Sequence, residues 1–160
     1  PVIFIESEMM YSWTGEVPDG EYTIPLGVGD IKRPGTDVTL VAWNKTVSVA
    51  EEAAKELSKM GVEAEIIDPR TLRPLDEELL IRSVQKTNRM VIVQEGWPYC
   101  GVASEIAMRV QEHAFDWLDA PVGRVTNEDV PMPYAENLEH GVIPTPEKVI
   151  KAVRRACYMD

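Results

Sequence analysis

Residues 88–102 read Asn-Arg-Met-Val-Ile-Val-Gln-Glu-Gly-Trp-Pro-Tyr-Cys-Gly-Val, and this stretch decides the fold. Residues 90–93 form a short apolar run, which predicts a strand that is covered on both faces. A turn with Gly96 and Gly101 follows, and apolar residues then recur at helical spacing to about His113. A strand, a glycine turn and a helix form the repeating unit of an open parallel sheet, where ligands or partners bind at the carboxyl ends of strands. The turn is therefore the first candidate for a functional site.

The same unit repeats along the chain. Apolar runs predict buried strands at residues 38–43, 63–68 and 121–125. Helices are predicted from residue 47 to Gly61, from the N-cap Asp76 onward, and from Thr145-Pro146 to the C-terminus. Residues 69–74 and 126–144 have the composition of loops. The order β-α-β-α-β-α-β-α predicts an α/β fold, a parallel-type sheet with right-handed crossovers.

The first part of the chain has a different composition. Residues 1–6 are mostly apolar and predict a strand, whereas residues 7–36 are rich in Gly and Pro, as is typical of a linker. Within that linker, one extended piece is predicted at residues 22–26. Because the chain opens on a strand without an initiator Met, we expect it to be cut from a larger protein. The predicted division is 1–36, the end of a preceding domain and a linker, and 37–160, the α/β domain.

Composition narrows the class of partner. Asp and Glu number 27 against 16 Lys and Arg, a formal net charge of −11, so a nucleic-acid partner is not expected. The charge fits a basic partner or substrate, or it serves solubility alone. No apolar run is long enough to predict a membrane span. The two cysteines form no C-x-x-C pair, which favours a reducing compartment without structural zinc.

No catalytic motif is found in the sequence. The Gly96–Gly101 spacing resembles a phosphate loop, but Val102 and Ala103 stand where Lys and Ser or Thr would be needed. Glu95 is either a general base or a solvated strand end. The remaining candidates lack the neighbours that would make them zinc ligands, a serine nucleophile or an activated thiol: His113, His140, Ser104, Cys100 and Cys157.

Two segments look like contact surfaces. Large aromatic side chains in a turn are costly to expose, so Trp97, Pro98 and Tyr99 should cover a core edge or meet a partner chain, and we favour the partner. Residues 130–134 form a rigid, partly apolar segment that would be ordered at little entropic cost on docking, and the same interpretation applies to Pro131, Met132, Pro133 and Tyr134.

Several long motifs resemble one family. They are Glu-Gly-Trp-Pro at 95–98 with Gly101 and Glu105, Phe-Asp-Trp-Leu-Asp-Ala-Pro-Val-Gly-Arg-Val at 115–125, Asp-Val-Pro-Met-Pro-Tyr-Ala at 129–135, and Asp-Pro-Arg-Thr-Leu-Arg-Pro-Leu-Asp at 68–76. In this order they resemble the C-terminal half of the pyruvate dehydrogenase E1 component β subunit, and the similarity covers the whole chain. The β subunits of branched-chain 2-oxoacid and acetoin dehydrogenases remain alternatives, as does a freestanding α/β nucleotide-binding module.

The resemblance implies a transketolase C-terminal-like domain with three α/β/α layers. Its small sheet is mostly parallel, with one antiparallel edge strand. It also implies an intact enzyme that uses thiamine diphosphate and Mg²⁺ to decarboxylate pyruvate and pass the acetyl group to the lipoyl arm of E2. In the family the activating glutamate and the cofactor contacts lie outside the matching half. We therefore expect no catalytic, cofactor or metal residue in this chain, and no activity from it alone.

The partners that the resemblance implies are the E1 α subunit, a second β subunit and the peripheral subunit-binding domain of E2. Asp119 and the C-terminal carboxylate of Asp160 match family positions that pair with basic residues of that E2 domain. The compartment would be the cytoplasm of a bacterium or the mitochondrial matrix of a eukaryote.

Overall fold

A computed structural model describes residues 1–159, and Asp160 lies outside the described residues. The sheet has five strands, β1 (Asp30–Arg33), β2 (Val38–Ala42), β3 (Ala64–Asp68), β4 (Met90–Val93) and β5 (Gly123–Val125), in the order β1-β3-β2-β4-β5. All neighbouring pairs are parallel except β1 with β3, which is antiparallel. The predicted sheet with one antiparallel edge strand is confirmed.

Five α-helices accompany the sheet, α1 (Thr46–Lys59), α2 (Glu77–Thr87), α3 (Val102–Ala114), α4 (Glu136–Val142) and α5 (Pro146–Ala156). One core lies between the sheet and α1 with α5, and a second lies between the opposite face of the sheet and α2 with α3. Strands β2 and β4 are fully buried because helices cover both faces, which explains their uninterrupted apolar sequences. The three-layer α/β/α architecture is confirmed.

The helix ends follow local signals in the sequence. The Asp76 carboxylate accepts the Leu79 amide at 3.1 Å, and the Thr145 hydroxyl accepts the Lys148 amide, so both predicted N-caps are confirmed. Gly61 follows α1 at φ +81°, a left-handed conformation that favours glycine. These contacts set where each helix leaves the sheet.

The N-terminal segment differs from the prediction. Residues 1–29 contain no strand, so the strand predicted at 1–6 is wrong, and the extended piece predicted at 22–26 joins no sheet. The side chains of residues 2–5 are 74–86% exposed, and an extended segment without a pairing neighbour leaves its backbone groups in water. The chain instead joins the sheet at β1, inside the segment that was predicted to be linker. The division of the chain at residue 36 stays a prediction.

Strand β1 has a polar sequence, Asp-Ile-Lys-Arg, that suits an exposed edge. Asp30 contacts Lys32 at 2.8 Å and Arg70 at 2.9 Å, and the hydrogen bond from Lys32 lowers the pKa of the Asp30 carboxyl. Arg33 pairs with Glu63 at the other end of the strand. These charged contacts explain why an edge strand forms without an apolar run.

Two glycines bring the segment before β1 and the loop after it close to the sheet. The Gly29 amide donates to the Asp76 carboxylate at 2.9 Å, on the side chain that also caps α2. Gly35 is buried between β1 and β2, and a Cβ there would overlap the backbone of Ala64 and Glu65. The chain between β1 and β2 therefore passes so close to the backbone of β3 that only glycine fits at position 35.

A buried polar network crosses the second core. Glu65 is 2% exposed, accepts a hydrogen bond from Ser83 at 2.6 Å and forms an ion pair with Lys86. Thr39 joins the network through the hydroxyls of Ser83 at 2.6 Å and Thr87 at 2.7 Å. The carboxylate is thus paired and hydrogen-bonded, as a buried charge must be.

Helix α4 lies inside the segment predicted to be an irregular loop, so that prediction is wrong for residues 136–142. Its sequence, Glu-Asn-Leu-Glu-His-Gly-Val, buries only Val142 and therefore has no apolar face to detect. Within residues 1–159, each helix falls short of the length and apolarity that crossing a bilayer requires.

Candidate docking site

The turn after β4 is closed by the side chain of Gln94. Its backbone amide donates to Val125 of β5 at 2.9 Å, and its side chain is 5% exposed. The side-chain oxygen Oε1 accepts the Ala103 amide at 2.7 Å, and the nitrogen Nε2 donates to the Trp97 carbonyl at 3.3 Å. One amide therefore connects the strand end, the turn and the first turn of α3.

The two glycines of the turn leave room for that amide. A Cβ at Gly101 would overlap the Gln94 Nε2 atom, and one at Gly96 would approach it to 3.2 Å. In a phosphate loop this space and the free amides at the helix start receive the anion. Here the Gln94 side chain lies in that space and accepts the Ala103 amide in place of an anion. This agrees with the absence of the Lys that a phosphate loop carries after its second glycine. The turn is filled by the protein itself.

Two further contacts connect the turn to β5 and the loop that follows it. Arg124 of β5 donates to the Pro98 carbonyl at 3.0 Å and to the Ser104 hydroxyl at 2.6 Å. The Trp97 indole nitrogen donates to the Val130 carbonyl at 2.9 Å, and the Asn127 amide donates to the Gly96 carbonyl at 2.9 Å. The structure therefore brings together the two segments that the sequence analysis treated separately.

Together these segments form what we call the carboxyl-edge surface, defined as Trp97, Pro98, Tyr99, Pro131, Met132, Pro133 and Tyr134. Trp97 is 54% exposed, Tyr99 82% and Tyr134 fully exposed, so none of these rings is enclosed in the domain's own core. Exposed aromatic side chains are typical of protein contact sites, and Trp97 is in addition held by its hydrogen bond to Val130. That these residues form an interface stays a prediction.

Glu95 has a partner that is distant in the sequence. Its carboxylate contacts the Lys45 ammonium at 3.0 Å, just after β2, and that ammonium also approaches the sulfur of Met9 at 3.5 Å. The parallel pairing of β2 and β4 brings the two residues together, since their strands end at the same edge. Glu95 is thus an exposed, ion-paired strand end, and the contact does not require a catalytic role.

Asp119 lies on the opposite, amino-terminal side of the sheet, before β5. Its carboxylate contacts the Arg89 guanidinium at 3.1 Å. Arg89 precedes β4 and is distant in sequence but close in space. The Tyr158 hydroxyl donates to the Asp119 carbonyl at 2.8 Å, which holds the C-terminal residues beside this loop. Docking through Asp119 stays a prediction, and that through Asp160 falls outside the described residues.

Binding of a metal ion or a cofactor requires a cluster of ligand side chains or a cavity with suitable charges. Residues 1–159 hold no cluster of three or more His, Cys, Asp or Glu side chains that could bind a metal ion. An open concavity of about 500 Å³ lies beside the loop after β3, but Glu77 and Glu105 line it and bind Arg109 there. Those contacts raise the pKa of the Arg109 guanidinium, and the hydrogen bond to Glu105 is the largest cause. Arg73 also lines the concavity, so two carboxylates and two guanidinium groups balance there, and the concavity has no net charge that would select a diphosphate.

The remaining single candidates lie apart from one another. His113 is at the end of α3, and His140 is on α4 beside Glu136 at 4.0 Å. Cys100 is exposed, whereas Cys157 packs against the first core, and burial raises the pKa of its thiol. Sequence reasoning missed Gln94, Lys45, Arg124 and Arg89, because each acts through a residue more than eight positions away, on another element.

The fold and this surface define a class: a three-layer α/β/α domain with an exposed aromatic surface at the carboxyl edge of a mostly parallel sheet. The chain belongs to the transketolase C-terminal domain family, whose sequence profile matches residues 27–149. This confirms the resemblance stated from the motifs.

Relatives match over nearly the whole chain. The β subunit of acetoin:2,6-dichlorophenolindophenol oxidoreductase of Bacillus subtilis is 49% identical over 94% of this chain and 44% of its own length. The mitochondrial pyruvate dehydrogenase E1 component subunit β-1 of Oryza sativa is 46% identical over 99% of this chain and 43% of its own length. A solved structure, a split-gene transketolase described as an inactive β4 tetramer, aligns with a TM-score of 0.76 at 31% identity, over 90% of this chain and 46% of that one. The chain therefore spans less than half the length of these proteins.

Proposed function

We propose that this chain is the C-terminal assembly and docking domain of the β subunit of pyruvate dehydrogenase E1. The carboxyl-edge surface carries the proposal, because the Trp97 indole joins two distant segments, Trp97–Tyr99 and 130–134, at Val130, and the aromatic side chains of both segments are exposed. The β subunits of pyruvate dehydrogenase that align with the chain over nearly all its length support the same assignment. The chain contributes contacts, and the reaction takes place elsewhere in the enzyme.

The intact enzyme would decarboxylate pyruvate with thiamine diphosphate and Mg²⁺ and transfer the acetyl group to a lipoyl group of E2. In the family the cofactor contacts lie outside the matching half, so other parts of the enzyme would hold both the cofactor and the metal ion. The role of this chain is then to place those parts against one another. Its own strand-end turn is occupied by Gln94 and takes no part in the chemistry.

Three partners follow from this assignment. The carboxyl-edge surface would contact the E1 α subunit or a second β subunit, as its exposed aromatic rings suggest. Asp119 and the C-terminal carboxylate of Asp160 would receive basic side chains of the peripheral subunit-binding domain of E2, for which the net charge of −11 is favourable. Relatives are bacterial or mitochondrial by name, and this protein would follow its source: bacterial cytoplasm or mitochondrial matrix.

A second candidate is the β subunit of an acetoin dehydrogenase, since a relative named for acetoin oxidation is 49% identical. The motif Met-Pro-Tyr-Ala at 132–135 favours the pyruvate enzymes. Substrate assays separate the two. The full-length subunit, assembled with its α partner, should reduce 2,6-dichlorophenolindophenol with a kcat/KM for pyruvate at least ~10-fold above those for acetoin and branched-chain 2-oxo acids. A preference for acetoin would reassign the protein to the second candidate.

The assembly half of the proposal is tested at the carboxyl-edge surface. Tyr99→Ala in the full-length subunit should weaken assembly with α or β partners roughly 30-fold, as for a central aromatic contact. Phe115→Ala is the matched control, because Phe115 is also exposed (61%) but lies at the far end of α3, away from the strand ends. Sedimentation over a concentration series measures both. Equal assembly by the two variants would exclude this surface as the interface.

A further inference from the structure

The side chain of Gln94 does more than fill a turn. It is an uncharged amide that is 5% exposed, and each of its two polar atoms has a partner on a different side of the turn. Oε1 accepts the Ala103 amide, which belongs to α3, and Nε2 donates to the carbonyl of Trp97, which belongs to the carboxyl-edge surface. A displacement of Trp97 would therefore break a hydrogen bond to a buried group.

We propose that Gln94 is the positioning residue of the carboxyl-edge surface: it holds the backbone of Trp97, and so the turn that carries Tyr99, in its docking geometry before any partner binds. The inference rests on the proposed function for what docks there, and on the geometry of the turn for how the surface is held. Positioning matters energetically because a surface that is ordered in advance loses less conformational entropy on association.

The glycines of the turn show that the packing around Gln94 is tight. A Cβ at Gly101 would meet the Gln94 amide and the Trp97 carbonyl, the latter at 2.8 Å. A Cβ at Gly96, where φ is +141°, would meet the same amide at 3.2 Å. The turn thus surrounds the amide on two sides. A side chain of the same length without hydrogen-bonding atoms could occupy this space, but it could not hold the turn.

Arg124 supports the same turn from the edge strand. It binds the Pro98 carbonyl at 3.0 Å and the Ser104 hydroxyl at 2.6 Å, and so connects the turn with the start of α3. The Trp97 indole then holds the Val130 carbonyl of the second segment at 2.9 Å. Contacts therefore run from Gln94 to Trp97 and from Trp97 to Val130. Gln94 is the buried member of this chain of contacts.

Two variants of Gln94 test whether its hydrogen bonds, and not only its volume, hold the turn in place. Gln94→Met keeps the length and removes both hydrogen bonds. Gln94→Glu keeps an acceptor for the Ala103 amide, at a helix start where a negative charge is favourable, but it removes the donor to Trp97. Gln111→Met, at an exposed position of α3, is the matched control for the same chemical change.

The experiment is hydrogen exchange of the full-length subunit, with assembly affinity measured on the same samples. In Gln94→Met, exchange at Ala103 should accelerate at least ~10-fold, because the amide loses its only acceptor, while Val110 in the same helix stays unchanged. Gln94→Glu should keep Ala103 protected. Both variants should weaken assembly with the partner subunit at least ~10-fold, whereas Gln111→Met should behave as wild type in both measurements.

The outcomes distinguish the inference from the proposed function. Unchanged exchange at Ala103 in Gln94→Met overturns the positioning role. Acceleration spread evenly over α3 also overturns it, because that result describes loss of global stability. Acceleration confined to Ala103 with unchanged assembly supports Gln94 as the residue that fixes the turn, and it counts against the carboxyl-edge surface as the interface.

Discussion

Asp119 has an exposed carboxylate with a single ion-pair partner inside the described part of the domain. Its carboxylate is 54% exposed and already contacts Arg89 at 3.1 Å, which is itself one-quarter exposed. An ion pair so open to water contributes little to folding, at most about 1 kcal/mol. The contact instead orients the carboxylate, since a carboxylate has two oxygens and Arg89 binds one of them. The other oxygen remains available to a basic partner.

We therefore expect Asp119→Ala in the complete enzyme to weaken E2 docking at least ~10-fold, because a charge pair at a docking surface is partly desolvated. Decarboxylation assayed without E2 should be unchanged, and so should thermal unfolding. Asp116→Ala, an exposed acid three positions earlier, is the control. Surface plasmon resonance with the E2 binding domain measures the difference. Wild-type affinity in the Asp119 variant would remove this residue from the docking site.

Glu65 is a buried charged residue, and its partners contribute to the stability of the fold. Its carboxylate is 2% exposed and depends on Lys86 and Ser83. Lys86→Met should lower the free energy of unfolding by about 1–3 kcal/mol, because it leaves a buried charge with one hydrogen bond. Lys59→Met breaks the exposed pair with Glu56 and should cost less than about 0.5 kcal/mol. Urea unfolding compares the two, and equal losses would show that water reaches the Glu65 carboxylate.

At the scale of elements, helices and strands with a strong sequence pattern were predicted correctly, whereas those with a weak pattern were missed. Strands β2, β3 and β4 and helices α1, α2, α3 and α5 are confirmed, because each has an apolar run, apolar residues at helical spacing or a capping residue. Strand β1 was missed, since its residues are charged and its pairing depends on Arg70 and Glu63, which lie far along the chain. Helix α4 was missed because it buries one side chain. Local sequence predicts an element only when that element carries its own apolar face.

The crossing between β1 and β2 gives a prediction at this scale. Gly35→Ala should destabilise the fold by about 3 kcal/mol or more, because the added Cβ overlaps the backbone of β3 rather than a flexible side chain. Gly141→Ala is the control: its Cβ meets open space on α4, so the effect should stay within about 1 kcal/mol. Thermal unfolding of both variants checks this. A stable Gly35→Ala protein would mean that β1 moves away from β3 at little cost.

For the molecule as a whole, the candidate site depends on contacts between distant segments. The aromatic residues were predicted from their sequence, because exposed rings in a turn require an explanation. Their joining through Trp97 and Val130, the pairing of Lys45 with Glu95 and that of Arg89 with Asp119 could not be predicted, since each depends on strand order. Strand order follows from the pairing of whole elements, which no local pattern encodes.

A prediction for the whole chain concerns the binding of thiamine diphosphate. The 160-residue chain alone should show no saturable binding of thiamine diphosphate with Mg²⁺ by titration calorimetry and no pyruvate decarboxylation. The described residues lack a metal cluster, and the helix-start amide that could hold a phosphate is used by Gln94. The assembled enzyme is the positive control. A micromolar site on the isolated chain would show that it holds cofactor contacts of its own.

The amide of Gln94 also has a consequence for inhibitor chemistry. In open α/β sheets the crevice at the strand ends is where a small molecule can bury most of its surface. In this chain the Gln94 side chain already occupies the turn after β4, at that edge of the sheet. A compound aimed here must instead cover the open rings of Trp97 and Tyr99, and covering such an area takes a macrocycle or a short peptide.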